Sequence, residues 1–158
     1  MNTLQKLPIA VTAGDPAGIG PEIVARLFRD HAGEMRGCFA IGDVAVLRRA
    51  AACLGTPCLP VVVLDRAAEA WRAPPRCLPV LPVVEAAGPV EWGVVSAEAG
   101  RQAAEAVTWA ARAALRGEVA AVVTAPLHKE ALSAAGVDFP GHTELLQAEA
   151  AAFLARPV

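Results

Sequence analysis

Short apolar runs alternate along this chain with longer segments whose apolar residues recur every three or four positions, the pattern of strands interleaved with helices. Residues 7–11 predict a first strand and 12–20 a loop rich in glycine. Pro21 then sits where a helix can begin, because a missing N–H costs nothing in a first turn. Ile23, Val24, Leu27 and Phe28 fall on one face of that helix and are expected to point inward. Residues 38–41 predict a second strand. Asp43 is placed to cap the next helix, with Val44, Leu47, Ala51 and Leu54 inward and Gly55 as its stop. Residues 59–64 predict a third strand. The stretch 71–82 carries Pro74, Pro75, Pro79 and Pro82, which argues against a central strand and for an edge, turn or crossover running to about residue 90. A short strand is expected at Val83 and Val84. Ser96 opens the longest helix, to about residue 116, with Gly117 as its stop and Ala99, Ala103, Ala106, Ala110 and Ala114 as a stripe that permits close packing. Residues 119–124 predict a strand buried on both faces. A short helix over 127–135, closed by Gly136, and a last helix from about 143 to 154 complete the reading. There is no internal repeat, so residues 1–158 are expected to form a single α/β unit.

The 158 residues suit one domain with a substantial core, and 55% of them are hydrophobic. A formal charge of −2 with no gathering of cations argues against nucleic acid as a partner. No stretch is long and apolar enough for a membrane span. The opening residues do not read as a secretory leader, which points to the cytoplasm. Cys38, Cys53, Cys58 and Cys77 form no C-x-x-C pair and read as reduced, mostly buried thiols. His31, His128 and His142 are not spaced as zinc ligands.

Two places combine glycine or proline turns with polar groups just past an apolar strand, where open α/β sheets bind ligands. The first is GDPAGIGPE, residues 14–22. Its glycines miss the G-x-G-x-x-G order of the dinucleotide fingerprint, and no Gly-Lys-Ser/Thr ending marks a P-loop. The loop can offer backbone N–H groups to an anion, or it can be a tight turn with Asp15 as a local cap. The second is Thr124 to Lys129 followed by Pro140 to Glu144. Here Lys129, His142 and Thr143 could flank a positive helix end and hold a phosphorylated or carboxylated small molecule. Equally, Thr143 could cap the helix while His142 and Lys129 stay in solvent. Arg48, Arg49, Arg101 and Arg112 read as outer helix faces. The three tryptophans are too scattered for a base-stacking platform.

Three segments carry a resemblance: PIAVTAGDPAGIGPE (residues 8–22), VVTAPLHK (122–129) and FPGHTELL (139–146). With them the chain resembles the 4-hydroxythreonine-4-phosphate dehydrogenase family of vitamin B6 (pyridoxal phosphate) biosynthesis. The resemblance implies a fold like the isocitrate and isopropylmalate dehydrogenases, two α/β subdomains around a cleft, of which this chain matches only the N-terminal half. It also implies a homodimer, or pairing with a C-terminal half. The implied reaction is oxidation of the secondary alcohol of 4-phosphohydroxy-L-threonine by NAD or NADP, then decarboxylation. A divalent metal (zinc, magnesium or cobalt) would assist, with its ligands outside this chain. His142 and Thr143 would contact the substrate, with Asp15 and Lys129 as further cleft residues; no catalytic, dinucleotide or metal ligand is assigned within the chain. A chain so short is expected to be inactive alone. The alternatives are a dehydrogenase of phosphorylated threonate or erythronate, and a non-catalytic domain that binds a phosphorylated metabolite or pairs with another subunit.

Overall fold

The computed structural model describes residues 6–85, 88–156 and 158. The opening residues 1–5, read above for a leader, lie outside it, as do residues 86–87 of the proline-rich crossover. Five parallel strands, β1 (Ile9–Thr12), β2 (Cys38–Ile41), β3 (Val61–Val63), β4 (Leu78–Leu81) and β5 (Ala121–Thr124), run in the spatial order β3-β4-β2-β1-β5. The helices are α1 (Gly20–Asp30), α2 (Val44–Cys53), α3 (Ala97–Leu115), α4 (Lys129–Ala134) and α5 (His142–Leu154), with a 3-10 turn at Ala67–Arg72.

Side-chain alternation along the strands divides the interior into two layers. Val11, Ala40, Leu78 and Val80 meet Val24, Ala25 and Phe28 of α1 and Leu47, Ala50 and Ala51 of α2. Ala10, Phe39, Ile41 and Leu81 point the other way, to Ala106, Ala110 and Ala113 of α3. Phe39 meets Trp109 edge to face at 6.3 Å. Capping follows local chemistry: Asp43 Oδ1 accepts from the Val46 N–H at 2.8 Å and Ser96 Oγ from the Ala99 N–H at 3.1 Å.

α4 and α5 pack on α3 rather than on the sheet, through Ala104, Val107, Leu132 and Leu145. The alanine stripe makes this approach close. At Gly100 an added Cβ would lie 1.9 Å from the Ala131 carbonyl oxygen, so the α3–α4 contact requires glycine there.

Several expectations change. The proline-rich stretch contains β4, which is paired on both sides, whereas Val83 and Val84 form no strand. Leu78 N–H and the Val80 carbonyl both bond toward the β3 side. Pro79, between them, faces β2, and pairing to β2 starts only at Val80. The missing proline N–H thus falls where no ladder bond is made. β5 is an edge strand among the described residues and is not buried on both faces: Val123 is 50% exposed. Ile23 is exposed on α1. Cys38 and Cys77 are buried, but Cys53 and Cys58 are exposed; all four are free thiols.

Candidate functional site at the strand tops

From β1 the chain moves first to β2 and the far edge of the sheet, and only later returns to β1's other side as β5. The helices that follow these two neighbours also diverge: α1 packs on one face, while α4 packs on α3 at the other. The C-terminal ends of β1 and β5 therefore form a topological switch point, the crevice where doubly wound sheets take ligands. Both motif-bearing loops leave from these ends.

The loop after β1 is fastened to the loop after β5. Asp15 N–H donates to the Pro126 carbonyl at 2.9 Å, and Ala125 N–H to the Thr12 carbonyl at 3.1 Å. Gly14 has φ +72°, and a Cβ on it would lie 2.2 Å from the Pro126 oxygen, so both its backbone angle and its surroundings demand glycine. Asp15 is 6% exposed, and its Oδ1 accepts from Ala17 N–H at 2.8 Å. Gly18 N–H donates to the Asp15 carbonyl, and Ala13 N–H to Ile41. Most of the donors this loop was thought to present are thus used within the fold. The residues present do not fit a dinucleotide phosphate cradle.

After β5, Pro126, Leu127 and Lys129 face Pro140, Gly141, His142, Thr143 and Glu144 across a cavity of about 390 Å³. Gly141 is the N-cap of α5 and supplies no side-chain acceptor, so the helix begins without a side-chain cap. His142 and Thr143 are its first two residues rather than its preceding ones; Thr143 is exposed and does not cap. Lys129, exposed, stands at the start of α4. The arrangement offers an ammonium, a hydroxyl and an uncapped positive helix end to one bound anion.

His142 offers something different. Burial pushes its imidazole below the ordinary histidine value, against the opposing pull of a hydrogen bond to the Ala125 carbonyl. Nε2 is buried without a partner, and the lowered value favours the neutral ring, which carries one donor and one acceptor nitrogen. A neutral ring binds by hydrogen bonding rather than by charge.

The structure thus gathers His142, Thr143 and Lys129 around one cavity. Asp15 adjoins it through Pro126 but turns its carboxylate inward. Sequence reasoning missed Arg49, read as outward-facing, which reaches back over the β1–α1 loop to bond the carbonyls of Val90 and Pro16. An arginine on a helix surface carries no sequence signal for such a reach. Among the described residues no three of His, Cys, Asp and Glu come together to hold a metal, so no metal chemistry is assigned to this chain's own groups.

Comparison with known proteins agrees with this architecture. The family model for pyridoxal phosphate biosynthetic protein PdxA matches residues 34–155. A D-threonate 4-phosphate dehydrogenase of Pectobacterium atrosepticum is 42% identical over 140 residues, covering 87% of this chain and 42% of the relative. A 4-hydroxythreonine-4-phosphate dehydrogenase of Beijerinckia indica is 41% identical over 141 residues, covering 88% and 40%. The crystal structure of 4-hydroxythreonine-4-phosphate dehydrogenase from Klebsiella pneumoniae superposes with a TM-score of 0.80 at 40% identity, covering 91% of this chain and 44% of that one. The chain spans less than half the length of these relatives.

Proposed function

The chain belongs to the pyridoxal phosphate biosynthetic protein PdxA family, and from that premise we propose that it supplies the strand-top half of a substrate site for a 4-phosphorylated hydroxy acid. The reaction served is the NAD- or NADP-dependent oxidation of the substrate's secondary alcohol, followed by decarboxylation. The substrate is 4-phosphohydroxy-L-threonine or its phosphorylated threonate or erythronate counterpart, since relatives of both named kinds match equally well. The carrying observation is the cavity at the β1–β5 switch point, which Lys129, His142 and Thr143 line together.

Each group has a task in binding. Lys129 and the uncapped start of α5 hold the anionic end. The Thr143 hydroxyl adds a donor. The half-buried His142 imidazole lines the same cavity and orients the carbon skeleton. Asp15 fixes its own loop through Ala17. A divalent metal would polarise the alcohol and the dinucleotide would take its hydride; the groups that hold both belong to a partner layer. That partner, a second copy or a separate C-terminal half, meets this chain along the open edge of β5.

Calorimetry of the 158-residue chain with 4-phospho-D-threonate and with 4-phosphohydroxy-L-threonine tests the reading. Binding is expected, weakened about tenfold or more by His142→Ala and less by Thr143→Ala. NADH formation by the chain alone with zinc is expected to be nil. Binding that ignores both substitutions would refute the site assignment. A second reading, binding without catalysis, is favoured by the lack of a metal-holding cluster among the described residues; turnover after adding a separately made C-terminal half would exclude it.

A further inference from the structure

The β1–α1 loop is braced from a side of the molecule that the substrate cavity does not touch. Arg49, in the second turn of α2, spans to two other segments. Its Nη1 donates to the Val90 carbonyl at 2.6 Å and its Nη2 to the Pro16 carbonyl at 3.1 Å. The guanidinium lies over the Trp92 ring, 4.5 Å from its centroid. Beside it, Gly93 N–H donates to the Ala17 carbonyl at 2.8 Å, and Ala17, Val90 and Ala99 form a small buried apolar cluster. One side chain therefore joins α2, the segment 88–95 and the loop whose Asp15 N–H is bonded to Pro126 of the cavity wall.

The chemistry of these contacts is specific to arginine. Two carbonyls in different segments are bonded by the two ends of one planar fork while its face stacks on an indole; a lysine ammonium can serve only one such role at a time. The guanidinium's partners are carbonyls, and among the described residues no carboxylate forms an ion pair with it. A surface arginine held for charge would show the reverse, as Arg101 does with Glu98 and Glu105. Arg49 Nε is buried and unpartnered, a desolvation cost that marks the position as constrained by geometry. Trp92, Val94 and Val95 stay largely exposed, so little apolar burial of their own holds that segment in place.

We propose that Arg49 is a positioning residue for the strand-top site: by clamping the segment 88–95 onto residues 16 and 17, it sets the register in which the β1–α1 loop meets Pro126 and the cavity wall. This rests on the site reading above, and it adds a residue that acts through the loop without touching the ligand.

The test combines hydrogen exchange at the Ala17 and Gly93 amides with calorimetric titration of 4-phospho-D-threonate. It uses the wild-type chain, Arg49→Met, Arg49→Lys and, as a control whose bonds lie elsewhere and are more numerous, Arg101→Met. Arg49→Met is expected to speed exchange at those two amides about tenfold relative to β2, and to weaken binding by a similar factor. Arg49→Lys should recover less than half of either effect, and Arg101→Met should leave both unchanged. Unchanged local exchange in Arg49→Met would overturn the clamp, and so would acceleration spread evenly over β1, β2 and β4, which marks a merely structural role. If the wild type does not bind the phosphate ester, the function proposed above fails. The exchange data then decide the clamp alone, local acceleration upholding it and unchanged rates refuting it.

Discussion

The two sides of the sheet's first strand are finished to different degrees. Toward β2 and β4, every strand residue is buried, and α1 and α2 cover one face while α3 covers the other. Toward β5 the strand alternates between exposed and half-buried residues. Of the thirteen residues of α5, only Leu145 is buried. Phe153 and Leu154 at the end of α5 are exposed, as is Val123 on β5. The cavity with Lys129, His142 and Thr143 lies on this open side, so the ligand groups sit where the fold's own packing is weakest. Stability is thus supplied on one side of β1 and the proposed site lies on the other, an arrangement that suits a site completed by further protein.

Deleting a large side chain on each side gives the hardest test of that contrast. Phe39, fully buried between β2 and α3, should cost about 3–5 kcal/mol when replaced by alanine. Phe153→Ala, at 56% exposure, should stay within about 0.5 kcal/mol. Urea denaturation of both variants measures the difference, and equal losses would mean that the open side is packed as well as the closed one. Gly100→Ala comes next. Its Cβ would overlap the Ala131 carbonyl, forcing α3 and α4 apart, while alanine's better helix propensity returns about 1 kcal/mol. A net loss of about 1–3 kcal/mol is expected, with looser protection in α4 and unchanged protection in β2.

What was legible in the sequence follows the same division. On the closed side local chemistry decides: Asp43 and Ser96 cap where their side chains can reach an N–H, and Pro21 sits in a first turn as expected. The glycine loop was recognisable as a tight, specific structure, and Gly14 shows why. Asp15 as a local cap was one of its two readings, whereas the bond from Asp15 N–H to Pro126, over a hundred residues away, had no local signal. β4 was hidden by Pro79, since composition cannot tell which way a missing N–H points. β5 looked doubly buried because VVT reads alike at a centre or an edge, and Ile23 looked inward because helical periodicity does not say how wide the covered stripe is. The candidate residues were found by clustering in sequence, whereas the lowered proton affinity of His142 comes from burial that only the fold shows.

A smaller effect concerns association. β5 offers a row of unpaired backbone groups, and its strand carries no charge to discourage pairing. Val123→Lys places an ammonium on an exposed position and should change stability by no more than about 0.5 kcal/mol. In sedimentation experiments the wild type is expected to associate with rising concentration, and the lysine variant to shift toward monomer. Identical behaviour of the two would mean that the edge is closed in solution by something other than pairing.

The smallest expected effect is the pH dependence carried by His142. Its folded-state value lies below the ordinary 6.5, with burial as the main cause, so the unfolded chain binds this proton more readily than the folded one. Well above about pH 6.5 neither state is protonated and the residue contributes no slope. As pH falls below that value the unfolded state gains the proton first and stability declines, levelling off once the folded ring is protonated too. His31 and His128 are exposed and remain in the variant, so the difference between wild type and His142→Gln isolates this one group. The difference in denaturation midpoint should be constant from pH 8 to about 7.5 and should move in favour of the glutamine variant below it. A difference that moves the opposite way would mean that the ring is held as a cation. Anion binding by charge would then replace hydrogen bonding as its part in the open side of the molecule.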